Sequence, residues 1–139
     1  MEVKEKLYSF GLRKNEVEEA LSVLIEENYL NEERFAVQFA GGHFRTKQWG
    51  REKIRYELKQ RQIGEYCLKK GLAAIDEDAY RRTLEKLGAG KWEALRGEEN
   101  IFIRRRKVQE YLLQKGYERE LIAGLVREMV ASPGERESF

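Results

Sequence analysis

The residues with the clearest capacity for chemistry are cationic. Arg45, Lys47, Arg51, Lys53, Arg55, Lys59 and Arg61 crowd one stretch, opposed there only by Glu52 and Glu57. A second run, Arg104, Arg105, Arg106 and Lys107, stands later in the chain. Guanidinium forks and ammonium point charges on an exposed surface are what phosphate oxygens need, and such contacts carry no base-reading geometry. On a helix opening near Gly50, Ile54 and Leu58 share one side. Arg55 and Lys59 share another, with Arg51 one turn before Arg55. The bland alternative is a solvated face partly paired with Glu52, Glu57 or acidic neighbours, since charge runs often serve only solubility. Trp49 adjoins the row and is the aromatic best placed to stack on a base of single-stranded DNA. Tyr56, Tyr66, Trp92 and Tyr111 sit at helical spacings more typical of a core.

The rest of the inventory assembles no other chemistry. His43 is the only histidine, so it has no partner for a zinc site and no nucleophile to serve. Cys67, the only cysteine, falls beside Leu68 on an amphipathic segment and reads as a small packed residue. It excludes an internal disulfide and agrees with a reducing interior such as the cytoplasm. The "GAG" at 88–90 and the Gly41-Gly42 pair lack the strand and lysine of a phosphate loop. Asp76, Glu77 and Asp78 stand where a helix starts, and capping accounts for them. No catalytic residue, metal site or cofactor is expected.

These residues have to be positioned by helices. The one proline, Pro133, lies near the end, and no segment alternates with period two. Apolar residues recur at helical spacing instead: Val17, Ala20, Leu21, Leu24, Ile25; then Leu68, Leu72, Ile75; then Ile122, Leu125, Val126, Met129. "GREKIRYELKQRQI" is followed by a paler copy, "RRRKVQEYLLQKGY", which sets Arg51, Lys53, Ile54, Leu58 and Ile63 against Arg105, Lys107, Val108, Leu112 and Tyr117. Leu7, Leu58 and Leu112 align, as do Leu12, Ile63 and Tyr117. The same offsets link Val17, Leu68 and Ile122. Such a period marks a helical repeat array. Each unit reads as a helix, a short turn and a second helix, with a third helix in the first two units. Gly11 and Gly116 precede the turn, where a left-handed residue suits glycine, and Gln62 takes that place in the middle unit. Asn31 and Asp76 are expected to cap the third helices, and Asn15 with Glu18 resembles a capping box. "GAG" and the "RGEEN" stretch read as short linkers. The expected fold is therefore all-α, as tandem three-helix repeats in an elongated, curved array. Its units are 1–48, 49–97 and a partial 98–130, followed by a flexible tail at 131–139. The position equivalent to Arg51 would precede Met1, so the first unit's opening helix is expected to be cut short.

Composition bounds the partners. The chain has 139 residues, 41% hydrophobic and 37% charged, with a net charge of only +2. No apolar stretch suits a membrane span and no signal-peptide pattern opens the chain. The net charge is too small to name a nucleic-acid partner, but its distribution is uneven. From Glu16 through Glu18, Glu19, Glu26, Glu27 and Glu32 to Glu33 no basic residue intervenes.

The stretch "ENYLNEERFAVQFAGGHFRTKQWGREKIRYELKQRQI", with "RKVQEYLLQKGY" after it, resembles the RecX family of recombinase regulators. The acidic turn before an aromatic–alanine pair is Asn31-Glu32-Glu33-Arg34-Phe35-Ala36. The basic run ending in glycine is 45–50, and the basic-x-x-[IV]-x-x-x-L pattern runs from Arg51 to Leu58. The later basic helix closes on the glycine–aromatic pair Gly116-Tyr117. Asn31 and Glu33 depart from the family's usual aspartates. The resemblance implies a monomeric cytoplasmic protein without enzymatic activity. It would bind the RecA–DNA filament and limit recombination, ATP hydrolysis and co-protease activity, touching naked DNA weakly. The competing expectation is a non-specific DNA-binding helical module with no recombinase partner. That module would bind DNA tightly by itself, which the modest net charge disfavours.

Overall fold

The computed structural model describes residues 14–130, and within them all regular structure is helical. Six helices follow in order: α1 Lys14–Lys47, α2 Arg51–Gln60, α3 Glu65–Ala73, α4 Glu77–Ala94, α5 Ile101–Lys115 and α6 Arg119–Val130. Leu7, Gly11 and Leu12 of the first unit and the 131–139 tail lie outside the described residues.

The expected break at Asn31 does not occur. α1 runs for 34 residues, about 51 Å at 1.5 Å per residue, longer than an ordinary small domain is wide. No proline interrupts it, and the acids of the turn serve a neighbour instead. Gly64 precedes α3 and has no side chain with which to cap it. Glu32 supplies the missing acceptor, its Oε1 taking the Gly64 N–H at 2.6 Å. A carboxylate is well placed there, at the positive end of the α3 dipole. Asn15 likewise lies inside α1, so it does not cap it. Asp76 does cap, its Oδ2 accepting from the Ala79 N–H at 2.9 Å.

The "GAG" stretch also proves helical, within α4. Gly88 is there for packing: a Cβ on it would come within 2.6 Å of the Leu125 side chain. Gly71 does the same for α3, where a Cβ would sit 2.7 Å from the Ala36 carbonyl oxygen of α1. Gly71 lets α1 and α3 meet backbone to backbone, while Gly88 makes room for the Leu125 side chain. The "RGEEN" stretch is a loop between α4 and α5, and Asn100 at its end caps α5 by accepting from the Phe102 and Ile103 amides.

The repeat survives most clearly in the core. Ile54 with Val108, and Leu58 with Leu112, are each 0% exposed. α2 and α5 end alike. Gln62 N–H donates to Lys59 O and Ile63 N–H to Leu58 O, as Gly116 N–H donates to Leu113 O and Tyr117 N–H to Leu112 O. Both are Schellman closures with a left-handed residue, φ 60° at Gln62 and 98° at Gly116. The middle unit therefore keeps the turn that its sequence seemed to abandon. One continuous core links Ala36, Phe39 and Phe44 of α1 through Leu68, Leu72 and Tyr80 to Ile122 and Val126 of α6.

Candidate nucleic-acid interface

The basic row does not form one surface. Arg51, at the start of α2, is turned inward. Its Nη1 donates to Glu77 Oε2 at 2.9 Å and its Nε lies 2.7 Å from Glu118 Oε2. Its guanidinium lies 3.9 Å above the Tyr80 ring. Burial alone would lower the Arg51 pKa, but Glu77 and Glu118 outweigh it and hold the guanidinium charged. Arg104 is engaged too, donating from Nε and Nη2 to the Trp92 carbonyl at 3.1 and 2.7 Å while stacking 3.8 Å over the Trp92 ring. Both are half-buried.

Other members are tied at the surface. Arg55 donates to Glu65 at 3.2 Å. Arg61 donates to Glu57 Oε2 at 2.9 Å and covers the Phe39 ring at 4.6 Å. Arg106 lies 3.9 Å from Glu110 and Lys107 lies 3.6 Å from Glu98. Exposed ion pairs of this kind contribute little and exchange readily for another anion.

What the fold does assemble is a cluster of ammonium groups at one joint. Lys47 from the end of α1 and Lys53 from the first turn of α2 both sit over Trp49, at 5.1 and 4.8 Å from its centroid. Lys115, the last residue of α5, donates from Nζ to the Lys47 carbonyl at 3.2 Å. The C-termini of α1 and α5 meet here, and their negative dipole ends favour Lys47 and Lys115. Lys115 escaped the sequence reading because it stands alone in its own segment. Its only signal was a last-turn lysine before a C′ glycine. Trp49 itself is half-buried, its ring stacked on His43 at 4.6 Å, so a base would have to displace an ammonium to reach it. Arg45 and Lys59 are exposed and make no ion pair among the described residues, while Arg105 is half-exposed and equally unpaired there.

The joint is fixed by main chain. Gly50 N–H donates to Lys115 O at 2.7 Å, Glu52 N–H to Gly116 O at 2.8 Å, and Tyr117 O–H to Gln48 O at 3.0 Å. Only glycine fits: a Cβ on Gly50 would lie 2.3 Å from the Gly116 carbonyl, and one on Gly116 would lie 2.3 Å from Lys53 Cβ.

His43 places Nδ1 2.9 Å from Phe39 O and stacks between Phe39 and Trp49, which makes it part of this scaffold. Cys67 is buried, and burial followed by the Glu32 and Glu33 charges pushes its thiol pKa up, away from reactivity. Among the described residues no group of histidine, cysteine and carboxylate side chains could hold a metal ion, and no helix is long and apolar enough to cross a membrane.

Comparison with known proteins gives this arrangement a context. The Regulatory protein RecX of Clostridium perfringens (strain 13 / Type A) is 30% identical over 129 residues, covering 92% of this chain and 60% of that protein. That of Clostridium tetani is 28% identical over 134 residues, covering 96% and 61%. The chain thus spans about three fifths of the length of these curated relatives. The crystal structure of RecX from Lactobacillus salivarius has the same fold, with a TM-score of 0.67 at 18% identity over 94% of this chain and 84% of that one. Residues 31–72 match the profile of "RecX, second three-helix domain", which here is the latter part of α1 with α2 and α3. Residues 78–125 match "RecX, third three-helix domain", which takes in α4, α5 and most of α6. Two successive domains of one family, matched in order and meeting at the glycine joint, place this chain in the RecX family.

Proposed function

We propose that this chain is a non-enzymatic regulator that binds a RecA-type recombinase–DNA filament and restrains its recombination, ATP turnover and co-protease activity. The observation that carries this reading is the lysine cluster around Trp49, held at the joint of two three-helix domains in a chain whose relatives are named regulatory protein RecX. In this reading Lys47, Lys53 and Lys115 meet phosphates, and Arg45 and Lys59 are further exposed cations. Arg105 and Arg106 form a second prong. Arg55, Arg61 and Lys107 stand at the rim, where they can exchange their glutamates for phosphate. Arg51 and Arg104 hold the fold. The protein acts in the cytoplasm without a cofactor, as a monomer in dilute solution, and binds naked DNA weakly.

At stoichiometric excess the protein should suppress DNA-stimulated ATP hydrolysis and strand exchange by a RecA-type recombinase. Unchanged rates would sink the reading. Lys47→Glu with Lys53→Glu should weaken filament binding by about tenfold or more and shallow its salt dependence, since each lost phosphate contact removes about 0.7–0.9 from the log–log slope. Tight binding to naked DNA with no effect on the recombinase would instead identify a plain DNA-binding module.

A further inference from the structure

Most of the aromatics that the sequence offered for stacking are engaged by the fold. Trp49 stacks on His43 and carries the Lys47 and Lys53 ammoniums. Trp92 carries Arg104, Tyr66 carries Lys70 and Tyr111 carries Lys91. Tyr56 is different. It is 61% exposed, and among the described residues its ring meets no aromatic or cation and its hydroxyl no hydrogen-bond partner. Helical spacing suggested a core position for it, but α2 turns it the other way. At 100° per residue it lies about 180° around the helix from Ile54 and Leu58, which are the residues buried against the core.

The surroundings of Tyr56 are cationic. Lys53 precedes it by one turn and Lys59 follows it by one, so both are its neighbours on the helix surface. The row rises about 9 Å along the axis. Lys53 belongs to the ammonium cluster at the joint, and Lys59 is exposed with no ion pair among the described residues. Of the nearby carboxylates, Glu57 is held by Arg61. Glu52 is the acid left beside the row, and it lines the groove toward Leu113 and Tyr117. No other apolar residue of α2 is exposed. An apolar protein pocket that took the ring would have to desolvate an ammonium on either side of it. A nucleic-acid strand meets both demands, its phosphates taking the ammoniums and a base taking the ring. In duplex DNA the base faces are already stacked on each other, so the strand has to be unpaired.

We infer that Tyr56 stacks on an unpaired base of a single DNA strand whose phosphates lie on Lys53 and Lys59. The inference deepens the function proposed above and rests on its assignment of phosphates to the lysine cluster. Phosphate contacts alone are blind to bases. The ring adds a grip that depends on them.

Binding of the full chain at low salt, without recombinase, to a fluorescent oligothymidine and to an abasic strand of the same length and charge tests it. The wild type should hold the thymidine strand about fivefold or more tighter. Tyr56→Ala should lose that preference and keep the wild-type affinity for the abasic strand. Tyr56→Phe should retain the preference, because stacking needs the ring and not the hydroxyl. The position is exposed, and unchanged helical circular dichroism would verify folding. Equal wild-type affinity for the two strands would overturn the inference, as would a preference that survives in Tyr56→Ala or is lost in Tyr56→Phe. If Tyr56→Ala relieves inhibition of the recombinase while strand binding is unchanged, the ring meets protein and the inference falls. Lys47→Glu with Lys53→Glu separates this from the broader reading. Should that variant bind the thymidine strand like the wild type, the phosphate assignment fails and the inference with it. Should it lose binding while Tyr56→Ala does not, the assignment stands and the inference alone falls.

Discussion

Arg51, Tyr80, Glu77 and Glu118 form one polar knot tying α2 to α4 and to the turn before α6. The Arg51 N–H donates to Tyr80 Oη at 2.8 Å, and the Tyr80 hydroxyl donates in turn to Glu118 Oε1. The knot leaves the tyrosine strongly biased toward its protonated form: burial first, then the hydroxyl's bond to Glu118, pushes its pKa well above the ordinary 10.0. Burial raises Tyr117 as well. An acid whose pKa is raised in the folded state contributes stability that is full below the unfolded value and is lost as pH climbs beyond it. Stability should therefore fall above about pH 10. In Tyr80→Phe that alkaline loss should be smaller, while stability at neutral pH drops by about 1–2 kcal/mol because Arg51 N–H loses its acceptor. Urea titrations at pH 7 and above pH 10 check both signs. That Arg51 is positively charged was legible in the sequence. Its destination was not, because Glu77 and Glu118 lie 26 and 67 positions away, and only the meeting of the start of α4 and the α5–α6 turn with the start of α2 brings them to it.

Local order explains which elements the sequence announced. Schellman closures rest on contacts within a few residues, so the α2 and α5 ends could be read from the Leu58–Ile63 and Leu112–Tyr117 spacing. Gln62 shows the cost of departing from the pattern. A left-handed φ of 60° costs a residue with a Cβ about 1–2 kcal/mol, a cost glycine avoids. Gln62→Gly should accordingly raise stability by up to about 1 kcal/mol after the glycine's greater unfolded-state entropy is counted. A rise in Tm without change in filament binding is the expected outcome. The misread elements failed for a non-local reason. Asn31 and Glu32 look like a helix start because capping chemistry is the same whichever helix receives it. Here the recipient is α3, 32 positions beyond Glu32, and α1 passes through unbroken. The glycines at 88–90 looked like a linker because the sequence cannot show that Leu125 presses on Gly88.

At the scale of the whole molecule the two three-helix domains share a core and a glycine joint. Gly50→Ala forces a Cβ onto the Gly116 backbone and cannot be relieved by turning a side chain. Relief by movement would break the Gly50–Lys115 and Glu52–Gly116 hydrogen bonds, so a loss of about 2–3 kcal/mol is expected, together with weaker filament binding as Lys115 leaves Lys47. Gly90→Ala is the control, because nothing lies within 4 Å of its Cβ and the helix around it should gain about 0.5–1 kcal/mol. Parallel melts and binding titrations of the two variants separate joint from helix. The repeat was legible because its apolar positions recur. The joint was not, because a turn residue and the end of a distant helix carry no shared pattern. With no slack at that joint, the ammonium cluster and the cations of α5 keep a set separation. On the filament reading proposed above, the molecule would behave as a gauge, engaging a lattice only when the lattice's rise and winding match its own span. A polymer that stretches or compresses as it turns over fuel would drift in and out of that match.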